Sequence, residues 1–257
     1  MSRAVKQFLY GTFYLIIFGS LAWGLYSITL KPAPSCFDDR QNGDETGIDC
    51  GGSCISCDVK NLKPLFVGEA NLYGVDRTFS ASARIQNSSP AFGARNFSYT
   101  VNFYDAGGVL LRSVANKSFI YANESKNIVE AGVRITNGIP NRVDFVIDDS
   151  VTEWVNNSEF SEPKFELKEL VAVLDGEQVV ISGAIQNPNN FSFSKVVLSA
   201  FLGDRFGTRS GASRTELNNV GQFRQESFKI FIPVSKDMLA NIDLKATAES
   251  VSASVLK

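Results

Sequence analysis

No histidine occurs anywhere in the 257 residues. That excludes Ser-His-Asp and Cys-His catalysis, histidine metal sites and histidine pH switching. No long basic run appears and the formal net charge is −2, so the chain has no electrostatic footprint for nucleic acid. Methionine is scarce, and the four cysteines all fall between positions 36 and 57, with none in the long stretch beyond. A Ser-Lys arrangement or a carboxylate pair is formally left, but no motif supports either. What is plentiful is Phe, with Val, Ile, Ser, Thr, Asn and Gly. This is the balance of strands and turns rather than helices.

One long segment carries no charge, Gln7 to Leu30, bounded by Lys6 and Lys31. As a helix rising about 1.5 Å per residue it spans roughly 36 Å, enough to cross a hydrocarbon core of about 30 Å. A helix also satisfies its own backbone hydrogen bonds in lipid. Tyr10, Tyr14, Trp23 and Tyr26 sit toward its ends, where amphipathic rings favour the headgroup level. Arg3 and Lys6, with the amino terminus, outweigh Lys31 on the other side. That predicts residues 1–6 in the cytoplasm, a transmembrane helix over 7–30, and everything later outside. The alternative is a cleaved signal peptide cut near Ala33, although its apolar region would normally be about 7–15 residues. Ala33-Pro34-Ser35 before Cys36 lacks the leucine of a lipoprotein cleavage box, which argues against lipid attachment.

Residues 36–57 are too short to bury a useful core, so cross-links must hold them. Outside the cytoplasm Cys36, Cys50, Cys54 and Cys57 are expected to form disulfides. Four cysteines allow about three pairings, and sequence does not choose among them. A zinc site of four thiolates is the rival reading. Cys54-Ile-Ser-Cys57 has redox spacing, but no βαβ context surrounds it. Between the first two cysteines, Asp38, Asn42, Asp44 and Asp49 stand at positions one, five, seven and twelve of a loop with Gly43 at six. That partly matches a calcium loop, where a glycine turn lets alternating oxygens converge. Arg40 takes a position where a ligand is wanted, Asp49 is shorter than the usual glutamate, and no helices flank the loop. A solvated acidic turn is therefore the first expectation and calcium its alternative.

The string Cys36-FDDRQNGDETGID-Cys50-GGS-Cys54-IS-Cys57 resembles a short cysteine motif of bacterial and archaeal surface and secreted proteins. The likeness is carried by Asp38, Asn42, Gly43, Glu45, Thr46, Gly47, Asp49, Gly51, Gly52 and the last three cysteines. Asp38-Asp39 departs from the usual Asp-Gly. The resemblance implies an exported prokaryotic protein and no particular activity.

Beyond the cysteines an internal repeat appears at a period of 100 residues: Ser82–Asn87 reads SARIQN and Ser182–Asn187 reads SGAIQN. Phe79, Ala81, Ala83 and Ile85 alternate with polar residues, as do Val179, Ile181 and Ile185, with Gly183 among them. Period two over such a run predicts a half-buried strand. Asn87 and Asn187 then open turns. Phe97, Tyr99, Val101 and Phe103 alternate along the next strand, and Val197, Ser199 and Phe201 along its counterpart. Later come VEAGVRITN and ESFKIFIPV. Several short strands in each copy predict two tandem β-sandwiches, at 61–157 and 164–257, joined by a polar linker near Asn156–Lys164.

The order of strand, Ile-Gln-Asn, turn, strand and Phe103-Tyr104-Asp105 resembles the FxLYD-type domain. It is also similar to the immunoglobulin-like sandwiches of the water-stress and late-embryogenesis group. Phe201-Leu202-Gly203-Asp204 is a looser match in the second copy. The resemblance implies a mainly β, immunoglobulin-like fold and no shared catalytic residues.

Phe92, Phe97, Phe191, Phe193 and Phe206 are expected in cores rather than on a binding face. Trp154 either packs between the domains or closes the first one. Six Asn-x-Ser sequons, at Asn87, Asn96, Asn116, Asn123, Asn156 and Asn190, are discounted as glycan sites in a prokaryotic protein.

The leading expectation is a membrane-anchored, extracytoplasmic, non-enzymatic interaction or spacer protein of a prokaryotic cell envelope. Its partners would be the membrane, through the helix, and protein or envelope components, reached by strand addition. No cofactor is expected unless the acidic loop takes calcium, and calcium-dependent adhesion is the second reading. A carboxylate hydrolase using Asp105, Asp175, Glu177 or Asp204 is the third; it needs two carboxylates at a defined separation.

Overall fold

The computed structural model describes residues 2–30 and 33–257, and Lys31, the expected outer flank of the span, lies outside the described residues. The chain divides into two compact units, Met1–Asn61 and Leu62–Lys257.

In the first unit, helix α1 (Arg3–Leu25) continues as a π-helical turn over Tyr26–Leu30. Thr12, Ser20 and Thr29 return their hydroxyls to the carbonyls of Phe8, Ile16 and Leu25. The Ser and Thr hydroxyls within the apolar run, that of Ser27 toward Gly24 included, are thus satisfied by the helix itself. The helical stretch Arg3–Thr29, whose most apolar 18-residue window has a mean hydropathy of 1.6, is long and apolar enough to cross a membrane. A signal sequence would share these properties.

The cysteine module follows, closed by disulfides Cys36–Cys54 and Cys50–Cys57 and ended by the single helical turn α2 (Cys57–Lys60). This settles the pairing that sequence left open. Among the module's described residues only Asp49 and Cys50 are buried. With so little apolar burial, the covalent bridges carry its order.

The second unit is mainly β. Its first half comprises β1 (Phe66–Val75), β2 (Thr78–Gln86), β3 (Phe92–Tyr104), β4 (Leu110–Ile120), β5 (Ser125–Arg134) and β6 (Arg142–Asn156). The second comprises β7 (Glu166–Asp175), β8 (Gln178–Gln186), β9 (Phe193–Gly203), β10 (Arg209–Val220), β11 (Gln225–Pro233), a short helix α3 (Leu244–Glu249) and β12 (Ser252–Leu256). The sheets are β1-β2-β5 and β4-β3-β6, then β7-β8-β11 and β10-β9-β12, with every pairing antiparallel. Each strand of one half thus has its counterpart six strands later, so the repeat legible in the sequence is a repeat of topology.

Each half has its own core, to which both of its sheets contribute. Phe79, Ile85, Phe97, Phe103, Ile120, Ile128 and Phe145 belong to the first, with Trp154 packed against it. Val179, Ile185, Phe193, Leu198, Leu202, Phe228 and Val255 belong to the second. Gly183 interrupts the apolar pattern because a Cβ there would lie 2.7 Å from Leu170 and 3.0 Å from Phe228. Among the singled-out phenylalanines, Phe206 departs from expectation and is 81% exposed.

The repeated asparagines explain the repeated motif. Asn87 donates its side-chain N–H groups to the carbonyls of Phe92 (2.7 Å) and Tyr121 (2.9 Å), and its Oδ1 accepts from Ser89 N–H. Asn187 does the same toward Phe191 (2.8 Å) and Gly221 (3.0 Å), accepting from Asn189 N–H. Both are fully buried. Each fastens the end of one strand to two turns at once, supplying buried backbone groups that would otherwise lack partners. The Asn87 sequon is consequently sealed inside the fold. Asp105 and Asp204 repeat a second device. Asp105 Oδ1 accepts from the N–H groups of Gly107 and Val109, and Asp204 Oδ1 from those of Phe206 and Thr208.

Two expectations are corrected. Val197, Ser199 and Phe201 do not form the core face of β9; Val196, Leu198, Ala200 and Leu202 do. Strand β3 carries an irregularity between Ala94 and Phe97 that β9 lacks. The copies are therefore out of step by one residue here, and a one-residue slip exchanges the faces of a strand. Nor is β2 half-buried, since Ser80 and Ser82 on its outer side are buried too. Their small side chains let the second half approach closely. Tyr73 and Val129 pack there on Phe201 and Ala212.

Candidate functional site

In the acidic loop, Asp38, Asn42 and Asp49 are joined through one another, while Asp44 is turned elsewhere. Asn42 donates to Asp38 Oδ2 at 2.8 Å. Asp49 Oδ1 accepts from the backbone N–H groups of Asp38 (2.9 Å) and Asp39 (3.1 Å), and its Oδ2 lies 3.4 Å from Lys60 Nζ. Asp44 Oδ1 accepts from the Ser53 hydroxyl at 2.9 Å. The carboxylate oxygens among them serve as acceptors for donors of the module itself, while Asn42 Oδ1 is sealed from solvent with no donor among the described residues. Glu45 lies beside the Cys36–Cys54 bridge. A disulfide offers no thiolate to a metal, and with all four cysteines bridged the zinc reading loses its ligands.

The four carboxylates considered for hydrolysis sit at turns. Asp105 and Asp204 are each engaged by the backbone of their own turn. Asp175 pairs with Gln178 across the β7–β8 turn that contains Glu177.

The densest polar chemistry lies where the two β halves meet. Strands β2 and β5 of the first half face β9 and β10 of the second. At the centre is Glu130, 4% exposed. Its Oε1 accepts from Tyr99 Oη (2.5 Å) and Asn116 Nδ2 (3.0 Å) and lies 3.3 Å from Arg214 Nη1. Arg214 and Lys195 both approach Glu216, at 3.8 and 3.2 Å. Burial first, and then the Glu130 charge, push the Tyr99 phenol far above its ordinary range, with Arg214 opposing.

At the far end of this seam Phe119, Tyr121 and Phe160 form a small cluster with Val155 and Leu256. Tyr121 Oη donates to Val255 O at 2.5 Å, tying β12 to the first half. The expected linker therefore carries a buried anchor, Phe160.

Between these contacts lies a cavity of about 320 Å³ lined by both halves. Lys126 and Phe119 both belong to its wall, and Lys126 Nζ sits 3.9 Å from the centre of the Phe119 ring. The residue is half-buried, but its Nζ is sealed from solvent and has no hydrogen-bond partner among the described residues. Loss of hydration lowers its pKa to about 8, against the pull of Glu124 and Glu162 and with help from Lys195. Glu162, at the rim, is held above the ordinary carboxylate range by desolvation first and by Glu124 second.

Sequence reading missed this seam. The one available signal was Glu130 within the apolar run Ile128-Val129-Glu130-Ala131, since a lone carboxylate in such a run needs a buried partner.

Comparison of the chain with known protein families finds no match, and neither does comparison with curated proteins.

Proposed function

We propose that the chain is a membrane-anchored, extracytoplasmic, non-enzymatic interaction or spacer protein of a prokaryotic envelope. Its two β halves, at 61–157 and 164–257, are read as tandem immunoglobulin-like sandwiches of FxLYD type. The observation that carries this reading is the order of parts. A charge-free helix precedes a module closed by two disulfides, and the disulfides precede a mainly β unit. Disulfides persist in oxidising compartments, and that is the side on which the charge bias of Arg3 and Lys6 leaves the remainder of the chain. The buried contacts between the halves favour a spacer of fixed geometry over two domains on a loose tether.

Two experiments test it. Cysteine introduced at Ser2 or at the exposed Phe206, probed with a membrane-impermeant maleimide on intact cells, should be labelled only at Phe206→Cys. Labelling at Ser2→Cys alone would reverse the topology. Affinity capture of the full chain from solubilised envelopes should enrich an envelope component over a control ending before Cys36. No enrichment would remove the interaction role.

A further inference from the structure

We propose that the cavity between the two β halves binds a small monocarboxylate, with Lys126 supplying the charge that receives it. This goes beyond the anchoring and spacer reading and does not depend on it.

The argument begins with charge. Six charged side chains besides Lys126 line the cavity, Lys117, Lys195, Arg214, Glu124, Glu162 and Glu216, and the Tyr99 phenol, which donates to Glu130, is the remaining ionisable group. Glu216 holds both Lys195 and Arg214, and Arg214 is further held by Glu130 from behind. Glu124 Oε2 accepts the backbone N–H of Tyr121. Lys117 also has no acceptor among the described residues but stands exposed to water, whereas the Lys126 ammonium is both sealed and without an acceptor, with the face of Phe119 against it. A sealed ammonium without an acceptor is a costly arrangement, and burying its own counterion with it repays the cost.

Charge also limits the ligand. Glu124 and Glu162 share the wall, so a dianion would meet repulsion that a single negative charge offsets with Lys126. The acceptor geometry of a carboxylate suits one ammonium with flanking hydroxyls, and Ser125, Ser199, Ser252 and Ser254 supply those hydroxyls. Phe119, Ile128, Val197 and Ala253 offer apolar wall for the body of the molecule. A volume of about 320 Å³ is at the small end of the ligand-pocket range. Rotation about the flexible lysine stem brings Nζ from the ring of Phe119 toward the bound acid.

The acid group has two sources, a free small molecule or the end of a peptide chain. Calorimetry on the full chain in nanodiscs distinguishes them, using N-acetylalanine and N-acetyl-trialanine, each beside its C-terminal amide. At least one acid should bind about tenfold more tightly than its amide. Binding of the tripeptide acid alone identifies a chain terminus; binding of both shows that a free acid suffices. Lys126→Met should abolish the preference for acid over amide without lowering the melting temperature. Ser254→Phe, which fills the cavity and leaves every charge in place, should abolish binding altogether. Equal binding of acid and amide, an unchanged preference in Lys126→Met, or no binding at about 10 mM ligand would overturn the proposal.

Discussion

Glu130 of the first β half and Arg214 of the second meet at 3.3 Å, with 6% and 20% of their side chains exposed. An ion pair so withdrawn from water tolerates the loss of neither partner alone, because the survivor keeps its desolvation cost. Arg214→Met leaves Glu130 with only Tyr99 and Asn116 as donors. It should cost about 2–3 kcal/mol in denaturant unfolding, near the lower end for a buried pair because Arg214 keeps some water contact. The double variant Glu130→Gln with Arg214→Met should recover part of that loss. A cost no greater than that of an exposed pair, about 0–1 kcal/mol, would mean that the halves do not meet as described.

Asn87→Ala and Asn187→Ala remove one device from two places. Each strands two buried carbonyls and a backbone N–H. Each should destabilise by about 2–4 kcal/mol, from several lost hydrogen bonds at roughly 1 kcal/mol plus the unsatisfied groups. Asn→Asp at either position should be at least as damaging, because a carboxylate cannot donate to a carbonyl. Two Ala variants differing widely in cost would count against an equivalent role.

The folded chain holds the Lys126 proton less tightly than the unfolded chain does. Below pH 8 both states are protonated and the fold bears the whole cost of the buried charge. Between about 8 and 10.5 the folded lysine loses its proton first and the cost lifts. Lys126→Met should therefore be more stable than the parent by roughly 3 kcal/mol at neutral pH, with the difference shrinking through that window. Tyr99 and Tyr121 ionise later in the fold than in the unfolded chain. Both proteins consequently weaken at higher pH, and only their difference reports on Lys126. A difference constant across the window would contradict the assignment.

The cysteine module should be indifferent to calcium. Asp49 is engaged by two backbone N–H groups and Lys60, and Asp44 by Ser53. Intact mass under non-reducing conditions should fall short of the reduced mass by four hydrogens, for two disulfides, with or without a chelator. A calcium-dependent heat at millimolar concentration would restore the loop as a metal site. Asp49→Asn should weaken the module, since the amide cannot match the charged acceptor facing Lys60.

Sequence made the elements legible where polar side chains alternated with apolar ones, even at β2, whose serine face is buried by the second half rather than wetted. The period-two patterns at Phe79–Ile85 and Phe97–Phe103 located β2 and β3, and Ile-Gln-Asn located the repeat. It misled at β9, where Val197 and Phe201 on one side look as apolar as Leu198 and Leu202 on the other. Both faces are covered there, so alternation no longer reports which is inside. The cavity was out of reach for a related reason. Lys126, Glu162 and Arg214 are far apart in sequence and ordinary in composition. Only the docking of one half on the other makes them neighbours.

That docking joins like modules through unlike faces, an arrangement that has no built-in end. The second half owns a counterpart of the surface that the first half gives up to it. Val129 lies opposite Ser82 in the buried contact, and the equivalent residue opposite Ser182 is Lys229, exposed and charged. A valine invites the next module and a lysine turns it away. On the second half's own β7-β8-β11 sheet, a module packed as the second half packs on Val129 would have to strip the Lys229 ammonium of its water.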